Sequence, residues 1–393
     1  MSEFAEPPAT LRFDGIDLLR GYSVIAVVLL HGQLRLLYNN SISIENLLPH
    51  WLFLVLFANG GNGVTVFFSV SGFLITLTSI RRFGSLAKMR ASVFYRIRFA
   101  RIAPLLLLLL AVLSLLHHFH TDGFRIPRTC ATLQRALIAA LTLHVNWLEA
   151  AHGYLPPNWD VLWSLSIEEM FYLFFPLVCL VLLRWRRGTA LLGALLLCFV
   201  VMGPFARTVW TANLVWQSDS YLSGMSGIAL GCLTALLTDR LQREKRIEPN
   251  ARVLWLIQIG GGLLMLPIIL WPAWNGVRLL GHSGLEETVL SVGTCLVVMS
   301  TVLREHEGRA WSGPVRWFGR HSYDVYLTHE FVVVWMTALY VKVQRGSPLV
   351  WIAAELVLCA PLGAAVARWY SEPMNRWLRG AAPAVYRPQY TTR

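Results

Sequence analysis

The sequence has few charged residues for its length. Only 14% of its 393 residues are charged, whereas 55% are hydrophobic and the mean hydropathy is +0.53. A soluble domain usually carries about 25% charged residues, so this chain has too few to cover its surface in water. Several apolar runs, such as residues 101–116 and 189–206, approach or reach the ~20 residues needed to cross a bilayer. We therefore expect an all-α polytopic membrane protein.

Cysteine pairs, a cleavage site and long polar segments are also lacking. The six cysteines show no CxxC spacing and lie mostly in apolar runs, which argues against a disulfide or zinc framework. Asp17 and Arg20 interrupt the first apolar run and no small-x-small site follows it, so we expect a retained first span. We expect a cytoplasmic N-terminal segment, one membrane domain and a cytoplasmic C-terminal tail, at residues 1–15, 16–370 and 371–393.

Hydropathy predicts about ten membrane-spanning helices, with both termini in the cytoplasm. Of the 34 Lys and Arg residues, 24 fall in segments on the side of the N-terminus and 8 on the other side, as expected from the positive-inside rule. The net charge of +12 therefore lies in short loops, which argues against nucleic-acid binding. The run 51–58 is too short to span, and residues 131–149 predict a short helix on the outer face. The spans are predicted at 16–37, 60–80, 102–118, 161–183, 189–206, 221–238, 253–272, 286–303, 323–341 and 350–370.

The first span contains two ionisable residues, Arg20 and His31, in DGIDLLRGYSVIAVVLLHG. Eleven residues of helix bring both side chains to nearly the same face, roughly 16 Å apart along the axis. Ionisable groups inside a span are costly and by default indicate function. The alternative is that Arg20 extends to the cytoplasmic headgroups and that His31 is an interfacial residue.

Two adjacent acids, Glu168 and Glu169, occur inside the fourth predicted span, in WSLSIEEMFYLFFP. We expect Glu168 roughly 10 Å deep, close to the depth of His31. A carboxylate beside an imidazole can orient the ring for general-base catalysis. The sequence leaves open which of the two acids pairs with His31. The alternative is an ion pair with a buried arginine that only holds helices together.

A basic loop and two further motifs complete the candidate residues. Ser71 in FFSVSGFLI precedes a loop whose Arg96, Arg98 and Arg101 could dock an anionic cofactor, since arginine contacts phosphate in a bidentate manner. The alternative is that these arginines bind lipid phosphates or fix topology. Tyr323 and His329 lie in SYDVYLTHEF, near the expected inner boundary. HHFH, residues 117–120, resembles a metal site only in composition, and we expect no metal.

Together these motifs resemble the acyltransferase-3 family of bacterial membrane O-acyltransferases. The shared features are the Arg–ten residues–His pattern, FFSVSGFLI, RFARIAP, WSLSIEEMFYLFFP, SYDVYLTH and the Ser-Glu-Pro near the end, in the family's order. The resemblance implies a ten-helix domain in the bacterial inner membrane. It further implies transfer of an acyl group, usually acetyl, from acyl-CoA to a hydroxyl of a surface or lipid-linked saccharide.

We expect acyl-CoA to enter from the cytoplasm, with its phosphates on the basic loop and its arm passing Arg20 towards His31. His31, oriented by Glu168 or Glu169, would then deprotonate the acceptor hydroxyl. Ser71, Tyr323 and His329 complete the expected cofactor-binding set, and membrane lipids are further partners. The alternative function is a transporter or flippase for a glycolipid or small molecule, which would also keep charges in a membrane cavity.

Overall fold

The computed structural model describes residues 13–40, 42–208, 213–244, 250–270, 283–304 and 310–380. These residues form helices joined by short turns, and no strand occurs among them. The α-helices are α1 (Asp14–Asn40), α2 (His50–Phe57), α3 (Gly60–Phe83), α4 (Ala91–His118), α5 (Leu133–Leu141), α6 (Val145–His152), α7 (Pro157–Asp160), α8 (Leu162–Leu182), α9 (Gly188–Thr208), α10 (Leu214–Asp219), α11 (Tyr221–Glu244), α12 (Ala251–Leu270), α13 (Glu286–Arg304), α14 (Gly313–Arg320), α15 (Ser322–Val343), α16 (Pro348–Val366) and α17 (Glu372–Arg379).

Nine helical stretches of the described residues are long and apolar enough to cross a membrane. They are Asp14–Tyr38, Gly60–Phe83, Ala91–His118, Pro157–Leu182, Gly188–Thr208, Val215–Arg243, Ala251–Leu270, Glu286–Arg304 and Pro348–Arg379. The ninth predicted span corresponds to α15, which has 22 residues but carries Asp324 and Glu330. The predicted all-α, multi-span architecture is therefore confirmed, and the orientation of the termini stays a prediction. Residues 271 and 272 of the seventh predicted span lie outside the described residues.

Short segments between the spans differ in detail from the sequence expectation. The predicted helix at 131–149 is two helices, α5 and α6, because Leu143 adopts a left-handed backbone (φ 61°) that no continuous helix allows. Thr132 caps the start of α5 by accepting a hydrogen bond from the backbone N–H of Arg135. The short run 51–58 forms α2, which contacts α1 and α12.

Close helix packing places α1 at the centre of the site. It packs against α3 on one side and against α14 and α15 on the other. A Cβ on Gly21 would collide with the backbone carbonyl of Val315, so only glycine allows this approach to α14. A Cβ on Gly72 would likewise collide with the backbone carbonyl of Ile228, so α3 and α11 also approach closely at a glycine.

The C-terminal tail is partly structured. The expected tail begins at residue 371, yet α17 is a regular helix that packs against α4. Tyr370 also donates a hydrogen bond to the carbonyl of Pro104, at 3.2 Å. This packing brings the end of α17 to the basic start of α4. Residues 1–12 and 381–393, which belong to the expected terminal segments, lie outside the described residues.

Candidate active site

A cavity of about 130 Å³ lies between α1, α3, α4, α8 and α15. Its polar wall combines three arginines, two glutamates, three hydroxyls of serine and two of tyrosine. A space of this size is smaller than a typical ligand pocket, so it holds only one part of a large ligand. The polar lining residues are Arg20, Ser71, Arg98, Arg101, Ser164, Glu168, Glu169, Ser322, Tyr323 and Tyr326.

Arg20 is held in this wall by α15. Its Nη2 donates a hydrogen bond to Ser322 Oγ at 2.7 Å. The charges of Asp17 and Glu168 attract the guanidinium, while that of Arg101 repels it. Such an arginine faces protein and cavity, which is the arrangement that makes a charge tolerable at membrane depth.

Glu168 forms a three-membered hydrogen-bond cluster on the opposite wall. The hydroxyls of Ser71 and Tyr172 both donate to Glu168 Oε1, and they also contact each other. The guanidinium of Arg98 lies over the ring of Tyr172, 4.2 Å from its centroid. The cluster therefore connects α3, α4 and α8 around the cavity.

His31 belongs to a second centre, built from α1 and α15. Its Nδ1 lies 2.9 Å from Glu330 Oε1 and 2.7 Å from His329 Nε2. Arg35 Nη2 lies 3.3 Å from the same oxygen of Glu330. His31 is 14% exposed, whereas the side chain of Glu330 is 1% exposed. The two imidazole rings stack at 5.0 Å with an interplanar angle of 6°.

The partners of these rings fix the tautomer of His31. His329 Nδ1 lies 2.7 Å from the carbonyl oxygen of Tyr326, which can only accept, so this nitrogen carries the proton of the neutral ring. His329 Nε2 is then an acceptor, as is the carboxylate of Glu330. Both acceptors face His31 Nδ1, which must therefore be the donor. In neutral His31, Nε2 is left with a free lone pair and can take up a proton.

Tyr326 separates the cavity from the His31 centre. Its hydroxyl forms a 2.7 Å hydrogen bond with Ser164 Oγ in the cavity wall. On its other side, the ring lies 5.9 Å from that of His329. Tyr326 therefore contacts both the cavity wall and the ring of His329.

An additional pair of acids lies beside the His31 centre. Glu149 of α6 is fully buried, and its Oε1 accepts a hydrogen bond from the backbone N–H of Leu155 at 3.1 Å. Burial raises the pKa of Glu149 well above its usual value, and the neighbouring carboxylate of Asp160 adds to this rise. Asp160 is also within electrostatic range of His31 and Arg35.

Nine of the ten predicted site residues lie at the cavity or at the His31 centre, and one, Arg96, lies at neither. His31 and His329 form the second centre, and Arg96 is exposed on α4, away from the cavity lining. The remaining seven line the cavity: Arg20, Ser71, Arg98, Arg101, Glu168, Glu169 and Tyr323. The acid in contact with His31 is Glu330, whereas the sequence argument placed Glu168 or Glu169 there. The assignment of these two acids to catalysis stays a prediction, and their observed place is the cavity.

Sequence reasoning missed the roles of Glu330, Arg35, Tyr172 and Tyr326. For Glu330 a signal was present, because a carboxylate inside a span usually has a partner or a function. Its partner lies on α1, 299 residues away along the chain, and a single sequence does not show which helices pack together. From the sequence, Tyr326 is only one of several polar side chains near the expected inner boundary, and Tyr172 is an ordinary aromatic residue of an apolar span.

Three ligand atoms of the second centre could also converge on a metal ion. The side-chain donors of His31, His329 and Glu330 all lie within 4.8 Å of one another. Two histidines and a carboxylate are a donor set that suits Zn²⁺. The hydrogen bonds described above engage these same atoms. In the HHFH motif, His117 Nδ1 instead accepts a hydrogen bond from the backbone N–H of Ile126 at 3.1 Å.

The fold and the two centres define a multi-pass membrane protein with a charged cavity and a histidine–carboxylate pair between its helices. The chain belongs to the acyltransferase-3 family, because the sequence model of this family, described as Acyltransferase domain, matches residues 13–368. The expected family is thereby confirmed. No solved structure matches the chain at a significant level.

Several curated bacterial proteins are similar in sequence. The O-acetyltransferase OatA of Staphylococcus aureus is 25% identical over 390 residues, which cover 92% of this chain and 57% of that protein. The peptidoglycan O-acetyltransferase OatA of Listeria monocytogenes is 24% identical over 361 residues, covering 86% of this chain and 51% of that protein. The chain thus spans about half the length of the curated relatives it matches.

Proposed function

We propose that this protein is a membrane O-acyltransferase that moves an acetyl group from acetyl-CoA to a hydroxyl of a saccharide. The observation that carries the proposal is the 2.9 Å contact between His31 Nδ1 and Glu330 Oε1, in a centre beside a charged cavity. The names of the relatives support acetyl as the acyl group and a cell-wall glycan as the acceptor class.

The donor binds in the cavity through its anionic and polar groups. Arg98 and Arg101 contact the pyrophosphate, since planar guanidinium groups match phosphate oxygens in pairs. The acyl arm extends from the cavity past Arg20 towards His31, along a wall that includes the hydroxyl groups of Ser71 and Tyr323. Arg96 and His329, which were expected to bind the donor, lie outside this lining and are assigned no direct contact with it.

His31 acts as general base on the acceptor. Its Nε2 takes the proton of the acceptor hydroxyl, and the oxygen forms a bond to the thioester carbonyl carbon. The C–S bond then breaks, the thiolate of CoA leaves, and the proton on His31 neutralises this thiolate. Glu330 stabilises the imidazolium that exists between the two proton transfers.

The acceptor and the donor reach the centre from opposite sides. The excess of Lys and Arg in alternate loops supports a cytoplasmic location for the basic start of α4, on the side where acyl-CoA is made. We therefore place the cavity mouth on the cytoplasmic side of a bacterial inner membrane and the acceptor on the other side. Tyr326 must move aside, or swing with Ser164, for the acetyl group to reach His31.

Replacement of His31 tests this proposal. We expect His31→Ala in lipid nanodiscs to lose acetyl-CoA-dependent acetylation of a chitooligosaccharide acceptor, measured as ester formation and as CoA release. The exposed His118→Ala is the matched control and retains both activities. Near-wild-type acetylation by the His31→Ala protein would contradict the mechanism. A wild-type protein that neither binds acetyl-CoA nor releases CoA would favour the transporter alternative.

A further inference from the structure

Four arginines from three helices gather at one end of the bundle. Arg82 lies near the end of α3, Arg98 and Arg101 lie in the first half of α4, and Arg379 is the last residue of α17. Because α17 packs against α4, Arg379 lies close enough to Arg101 for their charges to repel. Arg82 is repelled in the same way by Arg379 and Arg98.

The inner two of these arginines have neutralising neighbours. Arg98 and Arg101 both face the carboxylate of Glu169, and Arg101 also attracts Asp324. Arg98 is further engaged with the ring of Tyr172. Part of their charge is therefore balanced within the protein.

The outer two lack this compensation. In the described part of the chain, both charged groups that act on Arg82 are arginines, and the one that acts on Arg379 is Arg101. Arg82 Nη1 is buried and makes no hydrogen bond to any described residue. A buried donor without a partner and an unbalanced positive charge are both costly. A bound anion would remove both costs.

The four residues form an ordered series relative to the cavity. Arg98 and Arg101 line it together with Arg20, whereas Arg82 and Arg379 are absent from its lining and lie beyond them. We propose that Arg82 and Arg379 bind the phosphate of the donor that is farthest from the thioester, which in acyl-CoA is the ribose 3′-phosphate. This inference rests on the proposed function, because it assumes a coenzyme A donor whose acyl arm passes through the cavity towards His31.

An anionic phospholipid headgroup offers the same phosphate chemistry from another source. The exposed Trp369 and Trp377 beside this cluster suit a membrane interface, where such headgroups lie. The affinity for coenzyme A distinguishes the two sources of phosphate. Removal of the 3′-phosphate changes the affinity for coenzyme A only if that phosphate is bound by the protein.

The test compares CoA with 3′-dephospho-CoA. Full-length protein is placed in nanodiscs of zwitterionic lipid, and the binding of both ligands is measured by calorimetry. We expect wild type to bind CoA about tenfold more tightly than dephospho-CoA. In Arg379→Gln this ratio falls towards one, because one of the two arginine contacts with the 3′-phosphate is lost. Arg376→Gln is the matched control, since Arg376 is exposed on the same helix and, within the described residues, bonds to the carbonyl of Glu372 at 3.4 Å.

Any other result of this comparison would overturn either the inference or the proposed donor. An unchanged ratio in Arg379→Gln would overturn the inference and leave the proposed donor intact. If Arg379→Gln changes the affinities for CoA and dephospho-CoA equally, and only when anionic lipid is added, the arginines bind lipid headgroups. That result would also overturn the inference. If wild type binds neither ligand, the donor in the proposed function is wrong as well. Arg82→Gln serves as a second variant, with the same loss expected, in case Arg379→Gln alters the packing of α17.

Discussion

Replacing Glu330 by glutamine removes one negative charge from the His31 centre and keeps its shape. Glutamine still offers an oxygen to His31 Nδ1–H, and His329 Nε2 remains a second acceptor, so the tautomer of His31 is preserved. The loss falls on the imidazolium, which no longer has a carboxylate 2.9 Å from its Nδ1. The variant therefore tests charge stabilisation separately from ring orientation.

The expected magnitude follows from this distance. Two unit charges 2.9 Å apart attract by about 6 kcal/mol at an effective dielectric constant of about 20. Arg35 lies 3.3 Å from the same carboxylate and partly neutralises its charge. The attraction between Glu330 and the imidazolium is therefore smaller than this value. Loss of one partner of a buried charge pair usually costs about 3–5 kcal/mol. A loss of about 3 kcal/mol in the transition state lowers kcat about 10²-fold.

The assay measures CoA release and ester formation with purified protein in nanodiscs, together with the melting temperature of each variant. Glu355→Gln is the matched control, because Glu355 is equally buried, at 1% exposure, and its partner is Thr337 rather than His31. We expect this control to keep kcat within about threefold. A Glu330→Gln protein that melts like wild type and keeps kcat within the same limit would refute the stabilising role of Glu330.

Two further predictions follow from the site and its surroundings. Prolonged dialysis against a chelator leaves the acetylation rate unchanged, because the hydrogen bonds of His31 use the atoms that a metal would need; loss of activity that Zn²⁺ restores would contradict this. Glu149→Gln raises the melting temperature relative to wild type more at about pH 7.5 than at about pH 5. The reason is that the pKa of Glu149 is raised by burial, so the folded state binds more protons than the unfolded state above about pH 4.3, and wild-type stability falls as pH rises. An equal difference at both pH values would refute the buried, protonated state of Glu149.

The sequence predicted the fold well because each span is a nearly continuous apolar run. Boundaries were less accurate where a helix continues into a polar segment. Helix α4, for example, begins at Ala91, whereas hydropathy predicted its span from residue 102. The residues before that point include Arg96, Arg98 and Arg101, which lower the hydropathy without breaking the helix. In the same way, α15 is a regular helix of 22 residues although it carries Asp324 and Glu330.

The sequence predicted many of the individual residues of the candidate site, but not which of them contact each other. Arg20 and His31 share α1, so their relative position followed from helix geometry alone. The contact of His31 with Glu330 depends on how α1 packs against α15. That packing is set by close contacts at glycines and by the angles at which the helices cross. Likewise, the position of Arg379 next to Arg101 requires α17 to fold back on α4. Such long-range packing leaves no periodic signal in one sequence.

The proposed function makes acetyl-CoA the donor for O-acetylation by the membrane domain. A direct test uses acetyl-CoA labelled with ¹³C in the acetyl group, purified protein in nanodiscs and a saccharide acceptor, with mass spectrometry of the product. We expect wild type to form a ¹³C-labelled O-acetyl ester and His31→Ala to form none. Unlabelled ester, or label transferred equally well by His31→Ala, would contradict this expectation.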